Sequence, residues 1–118
     1  MREIADKKLM NYYLDTLNHC GMELLNASDE NIEYEIFEEF EIGIVSFFHD
    51  KSLGRLYRGG FINKSILAKS QDLRNMVINI QEKGKWNITF LQTDPDWKKI
   101  LLLSDKIKKE YESYVGNK

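Results

Sequence analysis

The chain has one cysteine, one proline and two histidines, and it contains no long apolar run. A lone cysteine, Cys20, excludes an internal disulfide and fits a reducing compartment. The opening MREIADKK is polar, and no stretch approaches the roughly 18–20 apolar residues that a membrane span needs. The expected location is therefore the cytoplasm, with no membrane contact. A single proline, Pro95, and the lack of a Gly/Ser-rich linker leave no internal boundary, so residues 1–118 are expected to form one helical domain.

Catalytic and metal-binding patterns are also missing. His19 and Glu23 stand at i, i+4 and supply two ligands at most; neither HExxH nor CxxC spacing occurs. His19 and Cys20 are neighbours, so on a helix their side chains diverge by about 100° and do not pair. Gly54 and Gly59-Gly60 form no phosphate-cradling loop. A run of carboxylates on an amphipathic helix more often makes a solvated face than an acid–base pair. No enzyme, metal or cofactor is expected.

The most informative absence is of positive charge. From Leu9 to Asp50 there are 42 residues without Lys or Arg but with ten acids, most of them in DENIEYEIFEEFE, residues 29–41. Residues 1–50 carry a net −9 and residues 51–118 a net +7, so the overall −2 conceals two oppositely charged halves. Such asymmetry bears on partners rather than on fold.

Apolar periodicity predicts an all-α bundle of four to five helices, with one short extended segment near residues 86–91. The first helix is expected over about 4–26, slipping near Gly21. The second runs over about 29–50 from a Ser28 N-cap, with Glu33 a misfit on its apolar side and residues 32–36 alternating like a strand. A third short helix covers 52–58 and ends at Gly59-Gly60; a fourth covers 63–82. Trp86, Ile88 and Phe90 alternate, which suggests extended chain. The last helix has Asp94 as N-cap, Pro95 at its first position and Gly116 as its stop.

On a helical wheel, Ile36, Phe40, Ile44 and Phe47 centre the buried face of the second helix, with Phe37 and Phe48 at its edge. The opposite side carries Tyr34, Glu35, Glu38, Ile42 and Val45, flanked by Glu39 and Glu41. Apolar side chains ringed by charge are how protein interfaces gain affinity and steering. These seven residues are the candidate site for a basic protein partner. In the competing account Lys98, Lys99, Lys106 and Lys109, with Arg55 or Arg58, neutralise the glutamates inside the fold. A second candidate is a helix–turn–helix-like nucleic-acid site on Arg55, Arg58, Lys64, Lys69 and Arg74; the low pI counts against it. A third is an assembly subunit whose opposite halves meet head to tail.

The Glu-rich IEYEIFEEFEIGIVSFF, the following FFHDKSLGRLYRGGFINKSILAKSQDLR and the W-x2-ILLLSDKIKK helix together resemble contact-dependent growth inhibition immunity proteins. That resemblance implies a non-catalytic inhibitor. It would bind a cognate toxin domain, often a basic nuclease, and block its active site, its carboxylates imitating phosphates.

Overall fold

A computed structural model describes residues 5–117. Six helices pack around one core, and no strand occurs among the described residues. The all-α expectation holds. The start expected at residue 4 lies outside the described residues.

Helix α1, Asp6–Asn18, is shorter than its periodicity suggested. It stops before Gly21, which is fully extended, and a 3₁₀ turn follows at Met22–Asn26. The last helix fixes this break: Met22 N donates to Asp105 Oδ2 at 2.9 Å, and Lys108 Nζ donates to the Cys20 carbonyl at 2.6 Å.

Helix α2 spans residues 29–47 in three continuous stretches: α-helical Asp29–Ile32, π-helical Glu33–Phe40 and α-helical Glu41–Phe47. Ser28 caps it, its Oγ accepting from Asn31 N at 3.2 Å. The π stretch has a reason in the sequence. Ile32, Ile36, Phe40, Ile44 and Phe48 are all buried and recur every fourth residue. A pure α-helix drifts by about 40° per four-residue step, or about 160° over the whole series. The looser π turns hold more residues each and cancel much of that drift. One apolar row thus stays on the core, and Glu33 turns out to solvent. Phe48 belongs to the core, whereas Phe47 is only half-buried.

Helix α3, Asp50–Arg58, starts from a His49 cap that accepts from Ser52 N at 3.3 Å. It closes with paired turn bonds, Phe61 N to Leu56 O and Gly60 N to Tyr57 O, which place Gly60 at φ 78°. A side chain there is disfavoured, so the Gly-Gly stop is conformational. Helix α4, Lys64–Glu82, is capped by Asn63 and ends the same way at Gly84, φ 73°.

The extended segment expected near 86–91 is instead helix α5, Ile88–Thr93. Asn87 Oδ1 accepts from Phe90 N at 3.1 Å, and burial follows Ile88 and Leu91 at helical spacing while Phe90 faces out. Three alternating apolar residues were too few to outweigh an asparagine cap. Helix α6, Pro95–Gly116, begins as expected: Asp94 Oδ1 accepts from Asp96 N at 2.8 Å, and Pro95 takes the first turn. It packs on α4, α1 and α5.

Carboxylates fasten several of these junctions. Lys85, then the Asp96 backbone amide, hold Asp94 below the ordinary carboxylate range; Lys69 and Ser65 do so for Glu110, and Arg74 for Asp50. A depressed folded-state pKa stabilises fully above the unfolded value, about 4, and is lost as pH falls through the folded value. The urea midpoint should therefore stay level from about pH 7 to 5 and fall below about pH 4. Glu110→Gln should make that acid limb shallower; a limb of unchanged steepness would exclude a role for the Lys69 pair.

Candidate protein-binding face

The π stretch that aligns the buried row also aligns its opposite. Tyr34, Glu38 and Ile42, again four apart, stand outward with Val45 beyond them. Ile42 is 61% exposed, Val45 70% and Tyr34 49%. Fixed on a helix, these side chains are presented at little further conformational cost.

The flanking glutamates are held differently. Glu35 meets His19 Nδ1 at 2.5 Å, and Glu39 lies 3.9 Å from His19 Nε2, which also has Asp15 at 3.7 Å. Glu41 accepts from the Trp86 indole nitrogen. The seven predicted residues thus divide into four that face solvent and three that are half-buried and anchored. The carboxylates still shape the field: Glu39 first, with burial and then Glu35 and Glu38, pushes the Tyr34 hydroxyl above its usual pKa.

Among the described residues no lysine or arginine pairs with these glutamates; His19 meets Glu35 and Glu39, and Trp86 meets Glu41. The α6 lysines that the competing account sets against them are elsewhere: Lys99 approaches Asp96 at 3.8 Å, and Lys98, Lys106 and Lys109 lie on the outer side of α6.

The alternative cationic site is largely engaged. Arg55 bonds Asp6 through Nε at 2.9 Å and a terminal nitrogen at 2.6 Å. Lys69 reaches Glu110 at 2.7 Å, and Arg74 reaches Asp50 at 2.6 Å and the Phe48 carbonyl at 3.1 Å. Only Arg58 and Lys64 of the five are exposed. A phosphate would have to displace carboxylates already seated on the other three.

No protein-family model matches this chain. Neither does any curated protein or solved structure. The site must therefore be interpreted from its own chemistry.

Two features escaped the sequence. His19 was weighed as a metal ligand with Glu23 and as a base for Cys20, yet it links α1 to Glu35 in a polar cleft of ≈ 380 Å³ that also holds Glu23, Asn18, Asn26 and Asn31. No group of three or more metal-ligating residues occurs among the described residues. The other is Ile78 on α4, exposed beside Val45 in an apolar groove of ≈ 250 Å³ with Ile44 and Gln81. Its signal was present, since Ile78 falls off the inward row of α4. Cys20 is fully buried, accepts from Ser104 Oγ at 3.1 Å, and its thiol is pushed up to about 12 by desolvation. It packs as a small core residue rather than as a nucleophile. No described helix is long and apolar enough to cross a membrane.

Proposed function

We propose that this protein is a non-catalytic inhibitor of the immunity type, which binds a basic protein domain through the outer face of α2. One observation carries the reading: Ile42 and Val45 stand more than half exposed on a helix rich in carboxylates and free of Lys and Arg. A merely solvated helix has no use for them, and an interface does. The carboxylates steer a cationic partner and the apolar pair anchors it. The sequence resemblance adds that the partner is a toxin domain, with a cationic nucleic-acid cleft as the surface covered. In a cell this would be a cytoplasmic role.

The test is calorimetric titration against a purified basic nuclease domain of toxin type, taken from the neighbouring gene where that gene encodes one. Wild type should bind at one to one. Glu38→Lys with Ile42→Lys should weaken binding at least tenfold, about 1.4 kcal/mol, and flatten its salt dependence. Unchanged affinity in the double variant would sink the α2 site.

A further inference from the structure

A second charged helix face has the same construction with the sign reversed. On α6, Leu102 is 50% exposed and sits among Lys98, Lys99, Lys106 and Lys109. Lys98 precedes it by four residues, Lys106 follows by four and Lys109 by seven, so these side chains share one side of the helix. Asp105 is turned away, bonding Met22 N and Lys108. Lys98, Lys106 and Lys109 make no ion pair among the described residues.

The two faces cannot meet within one molecule. The inner sides of α2 and α6 look onto the same core, where Phe37 of α2 meets Trp97 of α6 edge to face, with ring centroids 5.9 Å apart. Their outer sides therefore point away from each other. Each stripe, 34–45 on α2 and 98–109 on α6, runs for roughly 15 Å along its helix. One offers carboxylates around Ile42 and Val45, the other ammonium groups around Leu102.

We propose that the α2 face of one copy docks on the α6 face of a second copy. The contact is heterologous, since a different surface comes from each side. It leaves one free face of each kind on every pair and so propagates into a ring or an open chain. The affinity is salt-sensitive because most of the attraction lies between exposed charges. The contact covers the face proposed for the basic partner, so partner and second copy compete for it.

Sedimentation velocity on the full chain tests this. At about 50 mM salt the mean sedimentation coefficient should rise with protein concentration, and at about 500 mM the rise should disappear. Two variants separate the faces: Glu38→Lys with Ile42→Lys on α2, and Leu102→Glu with Lys106→Glu on α6. All four positions are exposed, and both replacements favour helix, so circular dichroism should match wild type. Each variant alone should stay monomeric. An equimolar mixture should form one-to-one pairs that go no further, because the unaltered α6 face of one variant then meets the unaltered α2 face of the other. A wild-type chain that is monomeric at low salt, a variant that associates alone, or a mixture that stays monomeric overturns the contact. None of these outcomes bears on a basic heterologous partner, which the titration above decides separately.

Discussion

Trp97→Ala should lower the unfolding free energy by about 3–5 kcal/mol, a large part of the roughly 5–15 kcal/mol available to a domain of this size. Trp97 is fully buried at the first turn of α6. It stacks on Trp86 with centroids 4.8 Å apart and meets Phe37 edge to face. Its indole nitrogen donates to the Lys85 carbonyl at 2.7 Å. The alanine variant loses the buried ring, leaves a cavity and leaves that carbonyl with the Asn87 amide as its remaining donor. Trp97→Phe separates these terms: it keeps much of the ring contact and loses the donor, so about 1–2 kcal/mol is expected. Urea unfolding with the m-value monitored is the measurement, and Trp86, the one tryptophan left, is the probe. A loss below about 1 kcal/mol in the alanine variant would mean that the site collapses onto Trp86 and Phe37 and that the pair does not organise the core.

The same aromatic group connects stability to the candidate site. Trp86 donates to Glu41, and Phe37 packs on both tryptophans. The indole pair thereby sets how α2 rotates against the core, and so which of its side chains reach solvent. Destabilising this pair should blunt partner binding even though no tryptophan belongs to the exposed face.

Five of the six helices and most of their ends were legible because they depend on local chemistry; the sixth, Ile88–Thr93, was expected as extended chain. Ser28 and Asp94 cap as expected, Asn63 caps the helix it was expected to lie in, and Gly60 and Gly84 terminate through left-handed backbone. The outer face of α2 was legible too, since Tyr34, Ile42 and Val45 lie opposite any reasonable apolar row. What was not legible depended on tertiary contact. The wheel assumed one pitch throughout, so it moved Phe48 to an edge that the π stretch brings inside. Capture of the Met22 amide by Asp105 joins residues 83 apart in sequence. The contacts of the glutamates stayed open for the same reason: charge counts cannot reveal that α6 turns its lysines outward while His19 reaches across from α1.

Gly43→Ala tests how closely α1 and α2 approach. Gly43 is buried on the α1 side of α2, and a Cβ added there would lie 2.7 Å from Thr16 Cβ and 2.5 Å from Thr16 Cγ2. Neither atom is the tip of a flexible chain. Thr16 is buried and β-branched, and its hydroxyl donates to the Tyr12 carbonyl at 2.8 Å, so its rotamer is held. Alanine should gain about 1 kcal/mol in helix propensity, but the steric conflict outweighs this, for a net loss of about 2–3 kcal/mol. Tyr12 stacks on Phe47 and Tyr13 on Phe48, both with centroids 4.9 Å apart, so the helices cannot separate without disturbing two ring pairs. Thr16→Gly removes the obstacle while sacrificing propensity of its own. The combination Thr16→Gly with Gly43→Ala should therefore be more stable than the sum of the single losses by about 1–3 kcal/mol. Chemical denaturation of the four proteins gives the coupling directly. Additive losses would show that the strain in Gly43→Ala is relieved by a shift of the whole helix rather than held at Thr16.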